Sequence, residues 1–174
     1  QVGDHWLTAM ALNNLAEVTR QQGDLQSAEA MFSEGFALLS ELNAKGFMAI
    51  LLTGLGLLAQ AHQNYPQALS IHTQSVWLAC EVDDRRVLAR CLEKTAGVIG
   101  KMGQTNRAAK ILGAADALRS QLNSPVERLD SPDYENILTF MRKTLGETQW
   151  HADWEVGRQM TLDEAIALTL DATE

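Results

Sequence analysis

The chain has 174 residues, 46% of them hydrophobic, a length for one domain or one module with enough apolar material for a continuous core. Fourteen Lys and Arg against 22 Asp and Glu leave a formal charge of −8, so the basic stripe that phosphate contacts require is missing and direct nucleic-acid binding is not expected. The most apolar stretch, residues 47–61, is shorter than the ~20 residues of a membrane span and carries Thr53 and Gln60, so no membrane association is expected either.

From Asp4, read as an N-cap, Leu7, Met10, Leu12, Leu15 and Val18 follow helical spacing up to the break Gln21-Gln22-Gly23-Asp24. Gly23 fits a C′ position, and Asp24 caps a second helix whose Leu25, Ala28, Met31, Phe32, Gly35, Leu38, Leu39 and Leu42 make a wide apolar stripe. After Asn43-Ala44-Lys45-Gly46 a third helix is expected over 47–62. Gln63-Asn64-Tyr65-Pro66 then reads as a second copy of the turn Gln22-Gly23-Asp24-Leu25, with Pro66 in a first helical turn. The fourth helix runs to about Val82, Asp83-Asp84 open a fifth over 86–102, and a sixth follows Gly103-Gln104-Thr105 over 107–121.

Shifting the chain by 40 residues superposes these pairs. Leu12 falls on Leu52 and Leu92, Leu38 on Leu78 and Leu118, and three places hold only small residues: Ala16/Gly56/Ala96, Ala28/Ala68/Ala108 and Gly35/Ser75/Ala115. Close helix crossings need them, since a Leu there would hold two axes beyond the usual contact distance of about 8–10 Å.

The period is lost after Asn123. Ser131 as N-cap and Pro132 at the first helical position start a tail helix with Tyr134, Ile137, Leu138, Met141 and Leu145 on one face, ended by Gly146. Residues 147–158 form another helix with Trp150 and Trp154 one turn apart. Thr161 to Glu164 is a capping box opening a last helix with Leu162, Ala165, Ile166 and Leu170 on one side. Residues 1–123 are therefore read as three helical hairpins and 124–174 as a helical cap covering the open end of the array; the competing reading makes the two tryptophans a partner-binding patch.

Candidate chemistry is sparse. There is no GxxxxGK, GxSxG or HExxH, and His5, His62, His72 and His151 lack a metal-ligand spacing, so catalytic residues, a metal and a cofactor are all unexpected. His72 stands where Phe32 and Leu112 stand and reads as a hairpin-packing residue with its polar edge at the surface. Cys80 and Cys91, at no paired spacing, read as small buried hydrophobes in a reducing compartment. With no secretory leader in these residues, a cytoplasmic location is expected, and the helical pattern already running by His5 reads as a piece of a longer protein.

The pattern resembles the tetratricopeptide repeat: Leu12, Leu15, Ala16, Gly23, Ala28, Phe32 and Gly35 match its signature in the first copy. It departs at Thr19/Ala59/Ile99, where an aromatic is usual, at Ser40/Cys80/Ser120, where a proline is usual, and in its 40-residue period. The segment 145–170, with LGE, Trp150, Trp154, GR and LDEAI, is similar to the C-terminus of large bacterial signalling ATPases, including LuxR-type and SARP-like transcriptional regulators. The resemblance implies an all-α, right-handed superhelix of three hairpins plus a helical cap. It implies a non-catalytic protein-interaction or regulatory module, with ATPase and output domains upstream. In such arrays the first helix of each hairpin lines the concave side, which places Asn13, Glu17 and Arg20, then Thr53, Leu57 and Gln60, then Arg90, Glu93 and Lys101 on the partner-binding face. The expected partner is a protein or peptide in that groove, or the upstream domains of the same polypeptide. The alternative is a small-molecule effector that biases an upstream switch.

Overall fold

The computed structural model describes residues 2–171, with side chains from Asp4 onward. The described residues form helices joined by turns and short irregular links: α1 Val2–Gln21, α2 Leu25–Glu41, α3 Lys45–Ala61, α4 Tyr65–Glu81, α5 Arg85–Lys101, α6 Thr105–Leu122, α7 Ser131–Leu145, α8 Glu147–Arg158 and α9 Leu162–Leu170. The fold is all-α and built from tetratricopeptide-like hairpins. Asp4 is not a cap, because helical backbone starts at Val2 and leaves Asp4 within the first turn.

The period is written in the backbone as well as in the side chains. Each hairpin turn puts one residue in the left-handed region, at Gly23 (φ 92°), Gln63 (φ 59°) and Gly103 (φ 92°); each junction between hairpins and the exit from the third does the same at Asn43, Asp83 and Asn123 (φ 48–50°). Gln63, and not Asn64, therefore takes the place of Gly23. In all six turns the following amide reaches back five residues, as in Asp24 N–H to the Thr19 carbonyl (3.2 Å) and Asn64 N–H to the Ala59 carbonyl (2.9 Å). That bond closes the preceding helix in a Schellman pattern. Asp24 and Asn64 then cap the next helix by accepting from the backbone N–H of Ser27 and Gln67.

By internal contacts the chain divides into two compact units, Gln1–Asp84 and Arg85–Glu174. In the first, α1 packs on α2, α3 on α4, and α2 on α3. Its core joins Ala9, Ala16, Ala28, Phe32, Leu39, Leu51 and Leu58. The small positions earn their place here: a Cβ on Gly35 would stand 2.7 Å from the Leu51 methyl, and one on Gly56 would overlap the His72 imidazole. The nine small residues singled out by the period are all buried.

In the second unit α5 and α6 form the hairpin and the tail folds onto it. α8 lies along α6, α7 contacts α5, α6 and α8, and α9 contacts α5 and α6. The α6–α8 crossing is set by two glycines outside the repeat positions. A side chain on Gly113 would run into the Trp154 carbonyl, and one on Gly157 into the Lys110 carbonyl, so the two backbones touch. Arg107 anchors α9 through two bonds to the Leu168 carbonyl, at 2.7 and 2.5 Å. Trp150 is 2% exposed and meets the Trp154 ring in a tilted pair at 4.8 Å, so it serves packing and is not an open patch. The capping box of α9 forms as expected. The cap of α7 is Asp130, with Ser131 and Pro132 already inside the helix.

Candidate functional site

In the second unit the tail occupies the face expected to meet a partner. Arg90 Nη1 lies 3.2 Å from the Asp130 carboxylate, which also holds the Lys94 ammonium at 3.1 Å. Lys94 reaches Asp133 at 3.4 Å. Glu93 accepts two bonds from the Arg119 guanidinium, at 2.5 and 2.9 Å, and Arg119 Nη1 donates to the Ser124 and Pro125 carbonyls. Lys101 sits 3.8 Å above the Phe140 ring. Between these charges, Gly97 and Gly100 receive the side chains of Ile137 and Met141 from α7. Arg90 and Lys101 are thus engaged by the segment 124–141, and Glu93 by Arg119 of α6.

Burial raises the stakes of this network. Glu93, Lys94 and Asp130 are 1–2% exposed, so each charge depends on its neighbour for the solvation it has lost. Burial pushes the Glu93 carboxyl up from its ordinary range against the opposing pull of Arg119. Burial alone would weaken the Arg119 cation, but Glu93 holds its pKa above the ordinary value. Desolvation likewise raises the Tyr134 hydroxyl.

The first unit distributes its expected face differently. Asn13, Glu17, Thr53 and Leu57 are buried, with Thr53 Oγ1 donating to the Ile50 carbonyl at 2.7 Å. Arg20 and Gln60 keep partial exposure; Arg20 donates to Glu17 at 2.6 Å, and the Gln60 amide nitrogen lies 2.9 Å from His72 Nε2. His72 is fully buried, so its polar edge is not at the surface: Gln60 from the facing helix meets its Nε2 inside the hairpin. Cys91 is buried and Cys80 half-buried.

An open cleft of this unit lies elsewhere. Phe36 of α2, Met48 and Leu52 of α3, and Gln74, Trp77, Leu78 and Glu81 of α4 line a cleft of about 490 Å³. Trp77 is 56% exposed at its edge, and Lys45 pairs with Glu81 at 3.2 Å on the rim. None of the expected face residues lines it. A signal was present in the sequence, because Trp77 stands where the other copies carry Ala37 and Ala117. A large aromatic at a place the repeat fills with alanine is not required by the hairpin. No group of three His, Cys, Asp or Glu able to hold a metal occurs among the described residues, and no helix there is long and apolar enough to cross a membrane.

Helical hairpins recurring at a fixed period define a helical-hairpin repeat protein, and residues 8–43 match the tetratricopeptide repeat family model. Among curated proteins the chain is similar to "Putative HTH-type transcriptional regulator Rv0890c" of Mycobacterium tuberculosis and to "Putative HTH-type transcriptional regulator Mb0914c" of Mycobacterium bovis, each 30% identical over 92 residues. Those residues are 52% of this chain and 10% of each relative, so the match spans about a tenth of the length of the curated relatives. No solved structure gives a significant match.

Proposed function

We propose that the chain is a non-catalytic protein-interaction module of a larger transcription-regulatory protein, and that it recognises its partner through the cleft beside Trp77. The repeat match and the named regulators support the module reading. The cleft reading rests on Trp77, an exposed aromatic anchor over an apolar floor, the chemistry that carries binding energy at protein interfaces. Arg20 and Gln60, the members of the expected groove that retain access, supply polar contacts on the inner face of the first unit. Other domains of the same regulator are the first partners to try.

Trp77→Ala is the direct test. Because Ala37 and Ala117 fill the same place in the other copies, stability should move by no more than about 0.5 kcal/mol, while partner binding should weaken by about 2 kcal/mol or more. Calorimetry against the isolated upstream domains of the mycobacterial relatives, with a thermal melt as control, reads both. Equal binding by the variant removes the cleft from the proposal. The second reading, a small-molecule effector, draws on the cleft volume, which falls within the roughly 300–1,000 Å³ of ligand sites. Stabilisation by a metabolite that Trp77→Ala abolishes, without any protein partner, would establish it instead.

A further inference from the structure

The cleft beside Trp77 has a counterpart in the second unit, and there the tail occupies it. Forty residues on, its α4 wall of Gln74, Trp77, Leu78 and Glu81 becomes Ala114, Ala117, Leu118 and Gln121 of α6. Those four side chains meet the start of α9: with Met160, Thr161, Leu162 and Ala165 they line a residual space of about 40 Å³, against the 490 Å³ left open in the first unit. Ala165 is fully buried. α9 runs antiparallel to α6, because its first turn lies beside residues 114–121 while its Leu168 carbonyl is held by Arg107 at the opening of α6. One surface of the repeat thus carries a helix in the second unit and stands open in the first.

We propose that the cleft beside Trp77 takes the first turns of an amphipathic helix from a protein partner, seated antiparallel to α4 as α9 is seated on α6. This rests on the reading of the cleft as a docking site and adds what enters it. Three exchanges between the units define the occupant. Trp77 in place of Ala117 holds the incoming backbone farther out, so a large aliphatic side chain at the place of Leu162 spans the gap to Met48 and Leu52 and packs on the indole. Glu81 in place of Gln121 sets a negative charge beside the helix start. It suits the positive end of the helix dipole but repels an acidic first turn such as Asp163-Glu164, so the partner's first turn is neutral or basic. Gln67 in place of Arg107 removes the two-bond clamp on the far end, so the hold is reversible where that of α9 is built in.

The probe is a fluorescently labelled peptide of residues 159–171, stapled between the exposed places 163 and 167. It carries Glu164→Gln, which keeps the capping box and leaves the first turn without a carboxylate. Against the intact chain, saturable 1:1 binding by anisotropy is expected. Trp77→Ala in the chain should weaken it about tenfold or more, as should Leu162→Gln in the peptide. Restoring Glu164 should weaken it about two- to fivefold, and Gln67→Arg in the chain, which returns the clamp, should tighten it about threefold or more. Gln67 and Trp77 are both exposed, so the variant chains should melt as the parent does. Absence of saturable binding, binding indifferent to Trp77→Ala, or no gain from Gln67→Arg overturns the proposal. The cleft reading itself falls on a different result, namely unchanged binding of the regulator's other domains by Trp77→Ala.

Discussion

Helices α3 and α5 hold the same places in the 40-residue period, yet their buried faces are made of different matter. Where α3 has Ile50, Thr53, Gly54 and Leu57, α5 has Arg90, Glu93, Lys94 and Gly97. The α3 set is met by neutral neighbours such as the Phe32 ring over Gly54. In the α5 set Arg90 and Lys94 are met by Asp130 and Asp133 of the tail, Glu93 by Arg119 of α6, and Gly97 by Ile137 of the tail. The repeat thus fixes how the two helices of a hairpin cross, while whatever lies over the first helix dictates the polarity of its inner face. A groove expected to be common to all three hairpins is in the second unit already filled by the chain itself.

The contrast can be broken most forcefully at Asp130. Asp130→Ala removes the carboxylate that Arg90 and Lys94 share, leaving Lys94 with Asp133 alone, and should cost about 3–5 kcal/mol, read as a fall in the urea midpoint. Ile50→Ala at the Arg90 place in the first unit should cost less, because it leaves no charge behind. Next comes Gly157→Val. Its side chain meets the Lys110 carbonyl, a backbone atom that cannot turn aside, so about 3 kcal/mol is expected, together with loss of hydrogen-exchange protection in α8 and α9. Ala68→Leu probes the matching kind of crossing in the first unit. Ala68 is fully buried, and overpacking it should cost about 1–3 kcal/mol; an unchanged melting temperature would contradict the register of the repeat. The smallest change has the opposite sign. Gln63 holds φ 59° where the other copies have Gly23 and Gly103, so Gln63→Gly should raise stability by about 1 kcal/mol in thermal melts.

Much of this was legible from residues alone, and the exceptions share a cause. The turns at Gly23 and Gly103, the caps at Asp24 and in the Thr161–Glu164 box, and the nine small residues at hairpin crossings are local or periodic features, each dictated by backbone sterics or by the closeness of one neighbour. The misplacements arose where a distant segment took over. Ser131 reads as a cap, but Asp130 precedes the helix and commits its carboxylate to α5. His72 reads as half exposed, but Gln60 meets it from the facing helix. Gly113 and Gly157 gave no periodic signal, because their partner is each other's helix and not a repeat.

The order of amino acids therefore determined which segments coil, where each coil stops and which small residues let hairpins close, since those depend on torsions and on neighbours within one period. Only the tertiary structure decided what lies over each helix: a tail seated on the charges of α5, and a cleft left open beside Trp77. Coverage is a relation between surfaces far apart in the chain, and no stretch of sequence contains it.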